Sequence, residues 1–96
     1  MRTVNLQGIN YSVNPRLESF NINSIPSKGI NFFGSNPETG SLFIQFKNGG
    51  TYIYYGVPQE VKSGLFNAES IGRYVTTNIV GKYTSEKLEG IGVEKR

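Results

Sequence analysis

The centre of the chain alternates between apolar and polar positions. Residues 41–47 place an apolar side chain at every second position, which is typical of a half-buried β-strand. Residues 51–55 are rich in β-branched and aromatic side chains and predict a second strand. Asn48-Gly49 lies between them and favours a two-residue hairpin turn, because a type I′ turn needs positive φ at both central residues. The pattern therefore predicts a β-hairpin.

The length of the turn decides which side chains share a face of this hairpin. A two-residue loop, which we favour because primed turns match the twist of the strands, pairs Ile44 with Ile53. The expected core face is then Leu42, Ile44, Phe46, Ile53 and Tyr55. The opposite, amphipathic face is Phe43, Gln45, Lys47, Tyr52 and Tyr54. A three-residue loop over residues 48–50 would shift the register by one residue and turn the tyrosines toward the core.

The sequence on either side of the hairpin predicts one more strand and two helices. The apolar run Ile30–Phe33 predicts a strand that ends where turn-forming residues begin at Gly34. After the hairpin, Pro58 suits the first position of a helix, and Asn67 is predicted to cap a second helix that ends near Gly81. The predicted fold class is α+β, with a small antiparallel sheet of three or more strands followed by two short helices.

Composition divides this single small domain of 96 residues into three parts. Residues 1–23 are polar and rich in Asn, and they predict an N-terminal arm or edge strand. Residues 24–83 hold the sheet and helices. Residues 84–96 are charged and contain two glycines, which predicts a mobile tail.

Several residue types are missing, and each absence removes a kind of chemistry. The chain has no His, Cys or Trp, and all seven acidic residues are Glu. Disulfides, thiolate nucleophiles, zinc fingers and Ser-His-Asp triads are therefore excluded. We predict that the protein is not an enzyme and has no catalytic residues, no metal site and no cofactor. The sequence shows neither a membrane-spanning apolar window nor a signal-peptide core, which predicts a cytoplasmic protein without a membrane partner.

The first candidate binding surface is the predicted amphipathic face of the hairpin. Tyr52 and Tyr54 are two residues apart on one strand, so their rings, with Lys47 nearby, are arranged to stack on nucleobases. The alternative for the same face is ordinary sheet packing or a homo-oligomer interface.

The second candidate lies near the start of the predicted second helix. Ser70 offers a hydroxyl and Arg73 a guanidinium, close to backbone N–H groups that favour anions. Lys82, just after this helix, adds a cation. The alternatives are that Ser70 caps the helix, that Arg73 is solvated and that Lys82 interacts with the helix dipole. The net charge of +3 is spread evenly, without a basic block for long nucleic acid.

The segment from Ser27 to about Tyr83 resembles the KTSC domain, a small domain named for the C-terminus of some lysyl-tRNA synthetases and also found alone in bacteria and phages. The residues that carry the resemblance are Ser27-x-x-Ile30, Gly34, Leu42-x-Ile44-x-Phe46, Gly50-x-Tyr52-x-Tyr54-x-x-Val57-Pro58, Ala68-x-Ser70-x-Gly72-x-Tyr74, Ile79 and Tyr83. The resemblance implies RNA binding. Residues 75–80, however, lack the basic residues that the family often has there.

Three functions are consistent with these observations. The first is a binding protein for a compact phosphate-bearing ligand, such as a nucleotide or cyclic nucleotide signal. For a phage-type protein this would be an oligomeric anti-defence sponge in the host cytoplasm. The second is an RNA-binding module, and the third is an assembly protein that forms a homo-oligomer. The predicted ligand-binding residues are Tyr52, Tyr54, Ser70, Arg73, Lys82 and Lys47.

Overall fold

Seven short strands and two helices make up the part of the chain that the structure describes. The computed structural model describes residues 2–24, 29–47 and 50–96. In chain order the elements are β1 (Arg2–Leu6), β2 (Ile9–Val13), a 3₁₀ turn (Pro15–Leu17), β3 (Ile30–Ser35), β4 (Leu42–Phe46), β5 (Thr51–Tyr54), α1 (Gln59–Asn67), α2 (Ile71–Asn78), β6 (Ser85–Lys87) and β7 (Val93–Lys95).

The strands form two antiparallel sheets. The large sheet has the order β3-β4-β5-β6, and the small sheet has the order β1-β2-β7. The helices pack on one face of the large sheet, where Leu42 and Ile44 meet Leu65 and Val75 in a first core. The small sheet covers the other face and forms a second core. The predicted α+β class, with its central hairpin and two following helices, is confirmed.

The register of the central hairpin differs from the favoured prediction. Ile44 lies opposite Tyr52 rather than Ile53. The Phe46 N–H donates to the carbonyl of Gly50 over 3.2 Å, which continues the same register by one more pair.

The two-residue loop is therefore wrong. The alternative loop over residues 48–50 is wrong as well, because it would place Ile44 opposite Tyr54. The turn at Asn48-Gly49 itself lies outside the described residues. Because side chains alternate along a strand, a shift of one residue moves every side chain of β5 to the other face of the sheet relative to β4. Tyr52 and Tyr54 therefore lie on the same face as Leu42 and Ile44.

The reason for the register lies on the face of Phe43, which the sequence pattern assigned to the amphipathic side of the hairpin. Phe43 and Ile53 are opposite one another in the strand pair, and both are buried in the second core. Gln45 and Thr51, the next pair along, are buried as well. Because both faces of the sheet are covered, the alternation of apolar and polar residues did not identify the core face.

The C-terminal segment also differs from the mobile tail that its charge predicted. Strand β6 extends the large sheet beside β5, and β7 completes the small sheet beside β2. Leu88 and Val93 carry the segment into the second core, with 3% and 2% of their surfaces exposed. The charged residues of this segment lie at exposed positions around these two anchors.

The second helix is capped by Ser70 rather than by the predicted Asn67. Asn67 is the last residue of α1, whereas the Ser70 hydroxyl accepts a hydrogen bond of 3.3 Å from the Arg73 N–H. The helices are tied together by Tyr74, whose hydroxyl donates to the Val61 carbonyl over 2.8 Å. Gly64 makes this crossing possible, because a Cβ atom there would overlap the Tyr74 hydroxyl.

Candidate functional site

The two tyrosines proposed for stacking lie on the helix-facing side of the large sheet. Tyr54 belongs to the first core and is only 4% exposed, and Tyr52 is half-buried against the same core. Their ring centroids are 6.4 Å apart, and Phe46 contacts Tyr52 edge-on at 6.0 Å. Burial raises the pKa of the Tyr54 hydroxyl, with a smaller contribution from Tyr52. The predicted exposed aromatic face is therefore wrong for Tyr54, which has the packing role that was the alternative.

Ser70 and Arg73 do come together, in an open groove of about 380 Å³ along the first turns of α2. We call this the α2 groove. Ser70 precedes the helix and Arg73 is its third residue, so both side chains are placed by the same helical turn. The other residues that line the groove are Ala68, Glu69, Tyr74, Thr77 and Asn78.

The electrostatics of the α2 groove favour an anion near the start of the helix. The first backbone N–H groups of a helix have no acceptor within the helix, and the helix dipole adds partial positive charge there. The Ser70 oxygen satisfies the Arg73 N–H, and its hydroxyl hydrogen is still able to donate. Arg73 is exposed and supplies the cation, while Glu69 on the groove wall carries the opposite charge.

The two predicted lysines lie outside this groove. Lys47 follows β4, and its backbone N–H donates to the Gly29 carbonyl over 3.0 Å. Lys82 lies beyond α2, and its N–H donates to the Ile79 carbonyl over 3.1 Å. Of the six predicted ligand-binding residues, the structure brings Ser70 and Arg73 into one site.

A polar cluster that the sequence did not suggest joins three distant segments. The Arg16 Nη2 atom lies 2.6 Å from Glu86 Oε1, and the Tyr55 hydroxyl donates to the same oxygen over 2.8 Å. The Arg16 hydrogen bond, followed by that of Tyr55, holds the pKa of Glu86 below its usual value. Arg16 lies in the 3₁₀ turn, Tyr55 directly follows β5, and Glu86 lies in β6, so no local motif marks them.

Replacing Arg16 with alanine is expected to raise the pKa of Glu86 toward that of an ordinary glutamate, because Arg16 is the main cause of its depression. A depressed carboxyl pKa contributes stability at neutral pH, and that contribution is lost as the pH falls through the folded-state pKa. Carboxyl-carbon NMR titration of wild type and Arg16→Ala measures the change directly. Arg73→Ala, which removes a cation from the α2 groove, is the control and should leave Glu86 unchanged. An identical Glu86 pKa in wild type and Arg16→Ala would contradict the assignment.

Comparisons with known proteins agree with the fold. A 64-residue stretch is 43% identical to a protein of Tsukamurella paurometabola, and it covers 67% of this chain and 96% of the relative. A 59-residue stretch is 39% identical to a lysine–tRNA ligase of Nostoc punctiforme, and it covers 62% of this chain but only 10% of the ligase. No helix among the described residues is long and apolar enough to cross a membrane.

A solved structure and a family model give the same assignment. The crystal structure of a KTSC domain protein from Yersinia pestis has a TM-score of 0.69 and 33% identity, covering 73% of this chain and 99% of the other. Residues 26–83, more than half of the chain, match the sequence model of the KTSC domain. The chain therefore belongs to the KTSC domain family.

Proposed function

We propose that this chain is a non-enzymatic binding protein whose α2 groove captures a compact phosphate-bearing ligand, such as a nucleotide or a cyclic nucleotide. The observation that supports this most directly is that Ser70 and Arg73 line one groove at the beginning of a helix. A phosphate group there would accept from the first-turn amides of α2 and from the Arg73 guanidinium, which has a fork of N–H donors.

The rest of the α2 groove suits the non-phosphate part of such a ligand. Tyr74 contributes an aromatic ring that is fixed by its hydrogen bond to Val61. Thr77 and Asn78, one turn further along α2, add a hydroxyl and an amide that could contact a sugar or base. In this proposal Tyr74 replaces Tyr54 as the aromatic contact, because Tyr54 is buried. Retention of the ligand without turnover is the proposed activity, and sequestration of a nucleotide signal by a phage-type oligomer is its most specific form.

RNA is the second candidate ligand, and the match to a lysine–tRNA ligase is the observation in its favour. Tight RNA binding generally draws on several phosphate contacts. Among the residues that line the α2 groove, Arg73 is the cation, so we place the compact ligand first. The two ligands differ in salt dependence, since the affinity for RNA falls steeply as counterions compete.

The test is a thermal-shift and calorimetry panel of mononucleotides, cyclic nucleotides and a short single-stranded RNA. A ligand at a hundredfold excess over its Kd adds about 2.7 kcal/mol of stability, which raises the Tm of a domain of this size by about 10 °C or more. We expect such a shift with at least one nucleotide, and weak salt dependence. Native mass spectrometry of the same samples gives the number of subunits and any retained ligand.

Variants at Ser70 and Arg73 separate binding from folding. Arg73→Ala removes an exposed guanidinium and should abolish the shift at little cost to stability. Ser70→Asp keeps a side chain that caps helices but places a carboxylate against the anion, so it should lose binding and keep its Tm. Lys95→Ala removes an exposed cation from β7 and is the matched control. The proposal fails if no nucleotide shifts the wild-type protein, or if Arg73→Ala binds as the wild type does.

A further inference from the structure

A second pocket, of about 170 Å³, lies beside the second core and is separate from the α2 groove. We call it the polar pocket. Its apolar part is formed by Phe20 and Ile53, which belong to the second core. Arg16 and Tyr55 form one polar side. The pocket therefore combines a narrow apolar floor with hydrogen-bonding groups, and its volume, below the roughly 300 Å³ at which sites for drug-sized ligands begin, restricts it to a small ligand.

The other polar side of the pocket is a connection whose backbone is fixed by its own hydrogen bonds. The Asn36 side-chain oxygen accepts from the N–H groups of Glu38 and Thr39 over 2.9 and 3.4 Å. The Thr39 hydroxyl donates to the Ser41 hydroxyl over 3.0 Å. From α1, the Lys62 ammonium donates to the Gly40 carbonyl over 2.9 Å. This side of the pocket is therefore formed before any ligand arrives.

Arg16 and Tyr55 are oriented in the same way by a residue that does not itself line the polar pocket. Both bind Glu86 Oε1, so each is held in one position. The carboxylate balances the charge of Arg16, so the pair carries no net charge. A guanidinium has five N–H donors, and Tyr55 keeps its oxygen lone pairs as acceptors. The pocket thus offers both donors and acceptors without a charge that would select an ion.

These features specify the chemistry of a ligand. Hydroxyl groups both donate and accept, as the groups around the polar pocket do, and a neutral ligand suits a wall whose charges cancel. Phe20 and Ile53 expose only 5% and 3% of their surfaces, so they form a narrow floor that one C–H edge of a small ring would touch. We propose that the polar pocket binds a neutral polyhydroxylated ring, a hexopyranose, through Arg16, Thr39 and Tyr55.

The polar pocket is not confined to the segment that matches the family. Residues 26–83 supply Thr39 and Tyr55, whereas Arg16, Phe20 and the orienting Glu86 come from outside that segment. The N-terminal segment and β6 thus complete the site. The proposal is therefore specific to chains that carry these additional segments.

The experiment is an amide NMR titration of the full chain with methyl glucoside, methyl galactoside and methyl mannoside at millimolar concentrations. We expect shift changes for Thr39, Ser41 and Tyr55 with at least one glycoside, and none in α2. A disaccharide that ends in the same sugar is titrated as well. If the pocket binds the end residue of a longer glycan, the disaccharide binds with the affinity of the methyl glycoside. If the pocket binds only a free sugar, the disaccharide binds more weakly.

Two variants test the assignment of the contacts. Arg16→Met keeps the aliphatic stem and Thr39→Val keeps the shape, and each should weaken binding about tenfold. Thr76→Val, the same change at an exposed position of α2 that lines neither the α2 groove nor the polar pocket, is the control and should bind the glycoside as the wild type does. The proposal is overturned if no glycoside perturbs the pocket, if inorganic phosphate perturbs it more strongly than any sugar, or if both variants retain full affinity.

Discussion

Replacing Gly34 with alanine is expected to lower the free energy of unfolding by about 3 kcal/mol, which is a large part of the stability of a domain this small. A Cβ atom at this position would lie 2.7 Å from the carbonyl carbon of Asn21, and closer still to its oxygen. The obstacle is backbone, which has no rotamer to change. Relief requires the segment around Asn21 to move away from β3.

That movement would break the contacts by which the N-terminal segment covers β3. The Asn21 N–H donates to the Ser35 carbonyl over 2.9 Å, and Asn23 and Phe33 exchange two backbone bonds of 2.8 and 3.1 Å. Each such bond contributes about 1 kcal/mol. Thermal and urea unfolding followed by circular dichroism should show a fall in Tm of about 15 °C for Gly34→Ala.

Gly29→Ala is the matched control, because a Cβ atom there would meet nothing within 4 Å and its φ is not in the left-handed region. It should leave the free energy of unfolding within about 0.5 kcal/mol of wild type. If the two variants unfold together, the close approach of Asn21 to Gly34 is not a feature of the folded protein.

Gly34 also shows what the sequence could predict and what it could not. The sequence pattern placed it at the start of a turn, yet β3 continues through it to Ser35. The requirement for glycine comes from Asn21, which is distant along the chain.

Strands β4 and β5 and the two helices were predictable because their apolar spacing is local. The register of β4 against β5 was not, because Phe43 and Ile53 are buried by segments from both ends of the chain.

The same distinction holds for the candidate sites. Ser70 and Arg73 share a groove because they share one helical turn, which is a local property that a cap and its spacing reveal. Arg16, Tyr55 and Glu86 meet only after β6 has paired with β5. Strand β6 is three residues long with every residue exposed, so no apolar pattern predicts it.

The second large effect is expected at Gln45, which is 7% exposed and joins the two sheets. Its side-chain nitrogen donates to the Val93 carbonyl over 2.9 Å, and its oxygen accepts from the Val93 N–H over 2.7 Å. The amide thus satisfies both backbone groups of a buried residue in β7. Gly92 permits the approach, since a Cβ atom there would lie 2.9 Å from the Gln45 oxygen.

Gln45→Leu removes both hydrogen bonds and leaves the Val93 N–H and carbonyl buried without partners. An unsatisfied buried group costs about 1 to 3 kcal/mol, so the variant should lose about 2 to 5 kcal/mol of stability. Urea unfolding measures the loss, and amide hydrogen exchange should show faster opening of β7. Gln59→Leu makes the same substitution at an exposed position of α1 and should change stability by less than about 0.5 kcal/mol. Equal stability of the two variants would contradict a bridging role for Gln45.

Gln45→Glu tests the same bridge through its proton. The introduced carboxyl group is nearly the same shape as the amide, but when ionised it cannot donate to the Val93 carbonyl. Burial and that carbonyl should therefore raise its folded-state pKa above the value of about 4.3 in the unfolded chain.

A raised pKa means that the folded state binds the proton more tightly. The variant should approach wild-type stability below about pH 4 and lose stability as the pH rises toward the folded-state pKa. A stability difference from wild type that stays constant between about pH 4 and 7 would show that Gln45 fills space in the core without bridging the sheets through its amide.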